Sequence, residues 1–347
     1  MHAAVINQYN RISWQEVPSP VVGDDDVLIR VTYASICGTD EHIFTGEFHP
    51  RTQLPLIPGH EFVGQVEGTG KNVAGFEKGN QVVVDPIIWC GKCDACLAGH
   101  YPACTSLKLI GIDMDGGFAE LISVPQTMVL KLPGKIKGPH AALIELLSIG
   151  FHASGRAGIK GTDNLAIWGG GKVGNAILLA SKIKSKGRVF MIDILDERLT
   201  RSKDAFPDII TINASREDPV EVIRRETGNK GVDIAFESVG HARLNDRMVH
   251  PVRGCVQAIR GGGTVCVLGL SDQPAPLIMK ELIWKEARII ASRVSHGEFR
   301  ETITYLANGS LDPEFLITSI RPMQEAQGAF KALQSEPDKH LKILLEL

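Results

Sequence analysis

Two patterns of apolar and polar positions divide the chain. Over about the first 140 residues the apolar positions come in short stretches, Val27-Leu28-Ile29-Arg30-Val31-Thr32-Tyr33, then 61–67, then Gln81-Val82-Val83-Val84-Asp85, separated by turns bearing Gly and Pro. That pattern predicts strands and turns, a β-rich barrel-like half. From about residue 150, short apolar strands alternate with amphipathic helices, the strands falling at 165–168, 189–192, 208–212, 232–236 and 264–268. Such alternation predicts an α/β architecture with a doubly wound parallel sheet. After Ile290 only a helix over 299–308 and a terminal strand over 340–347 remain, too little to stand alone, so the tail is expected to rejoin the first domain.

Size and charge narrow the picture. A chain of 347 residues with 44% hydrophobic positions exceeds what one core usually supports, so two domains are expected. The formal net charge is −3, and the 37 basic and 40 acidic residues form no long runs. No nucleic-acid or membrane partner is expected on that basis, and the ligands should be small molecules. The N-terminal Met1-His2-Ala3-Ala4-Val5 lacks the layout of a secretory signal, and no apolar run approaches the roughly 20 residues that span a bilayer. A soluble, cytoplasmic protein is expected.

Cysteine usage brings in chemistry. Four of the seven cysteines, Cys90, Cys93, Cys96 and Cys104, form C-x2-C-x2-C-x7-C within fifteen residues. That spacing lets four sulfurs converge on one zinc at roughly 2.3 Å, and four thiolates close its shell, so the metal there would be structural. The last gap and the absence of a proline after Cys104 do not match an iron–sulfur run of the bacterial ferredoxin type. Cys255 and Cys266 sit among apolar residues and are expected in the core.

A second candidate metal centre is built from scattered parts. Cys37-Gly38-Thr39-Asp40 follows a predicted strand, and Gly59-His60-Glu61 opens the next. Glu145 interrupts the apolar run Ala141-Ala142-Leu143-Ile144-Glu145-Leu146-Leu147, where a carboxylate needs a cation to be worth burying. A thiolate, an imidazole and a carboxylate together suit a catalytic zinc. One thiolate and one carboxylate cancel the dication's charge, which favours a neutral hydroxyl over an anion as the bound group.

The nucleotide signal lies at the first strand of the α/β half. Gly169-Gly170-Gly171-Lys172-Val173-Gly174 follows the strand 165–168 and opens a helix over 175–184, placing Gly169, Gly171 and Gly174 in G-x-G-x-x-G with Lys172 and Val173 inside the cradle. Asp193 ends the next strand, 19 residues past Gly174, where its carboxylate would accept from a ribose 2′-hydroxyl and repel a 2′-phosphate, so NAD is preferred over NADP. Arg198 lies along the adenine or pairs with an acid. Ser238 and Val267-Leu268-Gly269, at further strand ends, should line the nucleotide crevice.

With these motifs in hand, the sequence resembles the zinc-dependent medium-chain alcohol dehydrogenases along essentially its whole length. The resemblance rests on Gly-His-Glu at 59–61, Ile-Cys-Gly-Thr-Asp at 36–40, the four-cysteine lobe, Gly-Gly-Phe-Ala-Glu at 116–120 and the glycine loop. It implies a GroES-like, β-rich catalytic domain over 1–150, completed by 291–347, and a Rossmann NAD-binding domain over 151–290. It also implies two zinc ions per chain and NAD. Cys37 and His60 would be ligands of the catalytic zinc, and Glu61 a direct or exchanging one. Thr39 would take up the substrate proton, and His42, as in threonine-dehydrogenase-like relatives, would carry it onward.

Ala-Leu-Ile-Glu at 142–145, followed by 148–153, is similar to the sorbitol and polyol dehydrogenase branch, where the corresponding glutamate, here Glu145, binds zinc directly or through water. Leu146 stands where many polyol enzymes carry proline. Arg293 matches an arginine placed near nicotinamide or substrate in that branch. The resemblance therefore implies oxidation of a polyol or sugar acid to a ketose or keto product, by a homodimer or homotetramer. Activity of the L-threonine 3-dehydrogenase kind and a non-catalytic nucleotide-binding relative are the alternatives.

Overall fold

In the computed structural model, which describes residues 1–240 and 248–347, the change of pattern near residue 145 coincides with a division into two units. One comprises Met1–Glu145 with Phe299–Leu347, and the other Leu146–Glu298. The C-terminal helix Glu298–Ala307 falls almost wholly in the first unit, so the second unit runs eight residues further than the sequence boundary at 290.

The first unit is organised on strand β1 (Asp26–Ser35). Val27, Ile29 and Val31 are buried while Arg30 is exposed, the period-two alternation of a half-covered strand. Three strands pair with it antiparallel: β2 (Glu61–Thr69), Leu121–Pro125 and the C-terminal Lys342–Glu346. The register sets Ser35 opposite both Glu61 and Leu344, and Ile36 N–H donates to Ile343 O at 3.1 Å. Segments far apart in sequence thus meet at the end of β1. There the chain turns into helix α1 (Gly38–Thr45), capped at its start by Cys37 and ended by left-handed Gly46. An N-terminal hairpin, His2–Gln8 with Arg11–Glu16, was not anticipated from the pattern. Its two-residue turn places Asn10 at φ 64, a conformation Asn tolerates without the glycine that usually marks it.

Helix α2 (Ile144–Ala157) leads into the second unit. There β3 (Leu165–Trp168), β4 (Val189–Asp193), β5 (Ile210–Asn213), β6 (Val232–Glu237), β7 (Ile259–Val267) and β8 (Arg288–Ala291) form a wholly parallel sheet. Its order is β5-β4-β3-β6-β7-β8, the doubly wound arrangement whose ligand crevice opens where the order reverses, between β3 and β6. Both faces are covered. Leu165, Ile167, Met191 and Phe236 pack on one side, and Ala166, Trp168, Ile192 and Ala235 on the other, which is why these strands read as continuous apolar runs.

Two strands differ from expectation. The third begins at Ile210 rather than Asp208, because Pro207-Asp208 form a turn and Asp208 pairs with Lys182 at the surface. The fifth begins at Ile259 rather than Thr264, taking in three glycines and a register shift against β6. Among the described residues no helix is long and apolar enough to cross a membrane.

Candidate metal centres and nucleotide site

Asp40 ties together the two loops that carry the first ligand candidates. Fully buried, it accepts from Cys37 N–H at 2.8 Å through Oδ2 and from Gly59 N–H at 3.3 Å through Oδ1. Gly59 has φ +98 and would drive a Cβ to 2.2 Å from the Phe118 ring, so only glycine brings the next residue inward here. Cys37 Sγ, a His60 ring nitrogen and a Glu61 carboxylate oxygen lie within 4.8 Å of one another. His60, buried, sets Nδ1 3.5 Å from Asp40 Oδ1, an ion pair at the outer limit of hydrogen-bond reach.

The charges around this cluster were only partly foreseen. Lys342, on the C-terminal strand, is wholly buried and donates from Nζ to Glu61 Oε1 at 2.7 Å, to Glu61 Oε2, and to Ile36 O at 3.3 Å. Burial opposes its ammonium, yet Glu61, Cys37 and Glu145 hold its pKa above 10.5. Glu145, 3% exposed, has no partner for Oε2. Burial pushes its carboxyl up to about 7; Glu61 adds to the rise, while His60 and Lys342 oppose it. Burial likewise disfavours a charged His60, but Asp40 and Cys37 outweigh it and keep the imidazole well above 6.5.

Among the described residues, the acidic groups Cys37, Asp40, Glu61 and Glu145 thus act on two cationic ones, His60 and Lys342. A soft sulfur, an imidazole nitrogen and the orphaned Glu145 carboxylate oxygen are donors of the kind a zinc ion takes, and a dication would relieve the surplus negative charge. The residues fit the metal.

Thr39 and His42 occupy the first and last turns of α1, three apart and hence on one face. His42 is 45% exposed and shares a hydrogen bond of 2.6 Å between Nδ1 and Glu47 Oε2. Glu47 also accepts from Thr45 Oγ1 at 3.1 Å.

The second cluster is self-contained. One ligand atom from each of Cys90, Cys93, Cys96 and Cys104 lies within 4.8 Å of the others. Left-handed Gly91 and the short helix Asp94–Leu97, capped by Cys93, fold the segment back on itself. Backbone N–H groups of Cys96 and Thr105 lower the Cys93 thiol to about 6, whereas burial and the neighbouring sulfurs raise Cys96 to about 12. Four thiols this close cannot all ionise without a cation among them. Cys255 and Cys266 are fully buried in the core of the second unit.

At the end of β3 the glycine loop passes into helix α3 (Lys172–Lys184), capped by Gly171. Gly169 has φ +102, and a Cβ on Gly174 would lie 1.7 Å from Gly169 O. Asp193, 9% exposed, accepts from Gly170 N–H at 2.7 Å and from the N–H groups of Ile194 and Leu195. Arg198 Nη1 stands 3.7 Å from Asp193, an ion pair. Ser238 Oγ donates to Trp168 O at 2.8 Å, so it clasps the ends of β3 and β6 beside Gly169. Leu268 and Gly269 both donate from N–H to Glu237 O, and Val267 ends β7 next to them. Lys172 and Val173 are half-buried in the first turn of α3, and Arg293 is an exposed residue past β8.

The chain matches two family models: Alcohol dehydrogenase GroES-like domain over residues 23–134, and Zinc-binding dehydrogenase over residues 173–308. It is 30% identical to sorbitol dehydrogenase of Bacillus subtilis, over 99% of this chain and 97% of that one. It is 31% identical to an L-threonine 3-dehydrogenase of Bacillus velezensis, over 92% of this chain and 91% of that one. The chain belongs to the zinc-dependent medium-chain alcohol dehydrogenases. Among solved structures, this dehydrogenase superimposes with TM-score 0.90 and 28% identity on the RspB alcohol dehydrogenase of Escherichia coli CFT073 in complex with NADH, covering 100% of this chain and 99% of that one. It is thus an oxidoreductase of a family that binds zinc and a nicotinamide dinucleotide.

The dehydrogenase carries one site residue that sequence reading passed over, Lys342. Its signal was present: a lysine opening the apolar run Lys342-Ile343-Leu344-Leu345 is as costly to bury as Glu145 in its own run. Asp40, within the Cys37-Gly38-Thr39-Asp40 motif, both closes the turn at Cys37 and ties it to Gly59.

Proposed function

We propose that this dehydrogenase oxidises a secondary alcohol of a polyol or sugar acid with NAD, giving a ketose or keto acid, and reduces the ketone in reverse. The observation that carries this reading is the buried, unpartnered Glu145 Oε2, on a carboxyl that feels the charges of His60 and Glu61. In this assignment Cys37, His60 and Glu145 hold the catalytic zinc, while Glu61, already paired with Lys342, stands by as a ligand that can exchange. Cys90, Cys93, Cys96 and Cys104 hold the structural zinc.

Zinc at the first site would supply Lewis acidity that makes a substrate hydroxyl more acidic, and the nicotinamide would accept the hydride. The chain's own residues handle the proton. Thr39 Oγ1 accepts it, and His42 passes it outward, its Nδ1 already bonded to solvent-exposed Glu47. Asp40 keeps the Cys37 and His60 loops in register. Gly169, Gly171 and Gly174, with Lys172 and Val173, cradle the pyrophosphate at the start of α3. Asp193 receives the ribose hydroxyls and disfavours a 2′-phosphate, with Arg198 held against it. Ser238, Val267, Leu268 and Gly269 border the crevice, and Arg293 reaches the nicotinamide or substrate.

A threonine 3-dehydrogenase activity is the second reading, favoured by the His42–Glu47 pair and by the Bacillus velezensis relative. The two are separated by following NADH absorbance with a panel of polyols, aldonates and L-threonine. Turnover of polyols or aldonates is expected; a response to threonine alone would overturn the first reading.

Self-association accompanies this proposal. The sheet ends at β8, an edge strand with Ile289 exposed, and the adjacent helix Met279–Lys285 leaves Met279, Ile283 and Trp284 more than 60% exposed. An apolar edge of this kind is what a second copy would cover. The seven free thiols suit a reducing, cytoplasmic setting.

A further inference from the structure

At the opposite end of the parallel sheet from the glycine loop lies an open cleft of about 300 Å³. It is bounded by the end of helix α4 (Pro219–Glu226), the end of helix α5 (Pro251–Ala258), the start of β7 and the end of helix α6 (Met279–Lys285). Four cations line it: Arg224, Lys230, Arg260 and Lys285. No carboxylate lines it among the described residues.

Part of this charge is spoken for. Lys285 Nζ donates to the carbonyls of Val256, Gln257 and Ile259, capping the end of α5. Arg260 Nε donates to Asp233 Oδ1 at 2.6 Å. Glu281, whose charge Lys285 feels, is already held by both Arg253 and Gln257. The three helix ends contribute about half a negative charge each. Setting these and Asp233 against the four cations leaves a surplus of between about one and two positive charges. Arg224 and Lys230 carry that surplus. Both are exposed, and the one contact of the Arg224 guanidinium is a long one of 3.5 Å to Gln257 O. Asn229, at φ 63, stands between them with an amide that can donate.

We propose that this cleft is a second anion site, which binds a phosphate group, free or as the ester of a small metabolite, independently of the nucleotide. A phosphate group, carrying between about one and two negative charges near neutral pH, matches this surplus, and the donors of Arg224, Lys230 and Arg260 that are not already engaged can serve its oxygens. Binding would pin the ends of α4 and α6 to the start of β7.

The test uses the full chain with NADH at saturation, so that the glycine loop is already filled. Inorganic phosphate and glycerol 3-phosphate are titrated separately, with sodium chloride at matched ionic strength, and the melting temperature is followed. A saturable rise of several degrees is expected with at least one of the two phosphates and not with chloride. A rise with both assigns recognition to the phosphate group alone, and a rise with the ester alone to a phosphorylated metabolite. The double variant Arg224→Ala/Lys230→Ala, altered only at exposed positions, should weaken the binding about tenfold or more while leaving turnover unchanged. An equal rise with chloride, no rise with either phosphate, or an unaltered response in the double variant would each overturn the proposal.

Discussion

Two of the metal-ligand clusters of this dehydrogenase, the four-cysteine lobe and the group at Cys37, His60 and Glu61, are built on opposite plans. The cysteine lobe draws four like ligands from fifteen consecutive residues and needs nothing from elsewhere in the chain. The other cluster draws a thiol, an imidazole and a carboxylate from the end of β1 and the start of β2, balances Glu61 with a lysine from the C-terminal strand, and has Glu145, at the start of α2, within electrostatic reach but outside the tight group. Four thiolates leave a zinc no vacancy, whereas a mixed set with one paired glutamate and one unpaired leaves room for an exchangeable ligand. In the proposed assignment the first plan serves folding and the second serves chemistry.

The largest effect expected from breaking this contrast lies in the lobe. Cys96→Ser should remove one zinc per chain and lower the melting temperature by more than about 10 °C, because structural zinc contributes folding free energy directly; a melting curve like the parent's would contradict the structural role. Next comes His60→Ala. It should lower kcat by roughly a thousandfold or more, the scale of a lost Lewis acid, while the melting temperature moves only slightly; steady-state kinetics beside thermal denaturation checks both.

Lys342→Met should cost about 3–5 kcal/mol in denaturant unfolding by leaving Glu61 buried without its partner. Adding Glu61→Gln should recover most of that loss, and a double variant no more stable than the single would deny the pairing its role.

Smaller changes sharpen the difference between the glutamates. Glu145→Gln should weaken zinc binding about 10–100-fold in a competition titration, and Glu61→Gln less. The pH dependence of the zinc-free chain follows from the sign of the shift. The Glu145 carboxyl titrates at about 7 in the folded state against 4.5 ordinarily, so folding stability should fall as pH climbs between those values, and Glu145→Gln should remove that fall. The smallest effect is in the second unit. Asp193→Ser should raise turnover with NADP relative to NAD about tenfold, read as a ratio of kcat/KM.

How much of this was legible in the sequence follows the same division. The cysteine spacing and the glycine loop are local, so their geometry is carried by neighbours in the chain, and β3 and its turn fall where the pattern set them. Cys37 and His60 were legible as candidates because each sits at a strand end beside glycine. Their convergence depends on Asp40 and on the antiparallel register of β1 with β2, which no spacing encodes. Lys342 lies 281 residues from Glu61, and only the pairing of the C-terminal strand with β1 brings the two together. The N-terminal hairpin escaped notice because its turn uses left-handed Asn10 without glycine.

The claim that one zinc is structural and the other catalytic is tested most directly by stripping metal in stages. The protein is dialysed against a chelator, and zinc content, NAD-dependent activity and circular dichroism are followed on the same samples. Two zinc ions per chain are predicted at the start, one leaving in step with activity while the fold and the second ion persist. Activity that outlasts the first ion, or a starting content of one zinc per chain, would contradict the account.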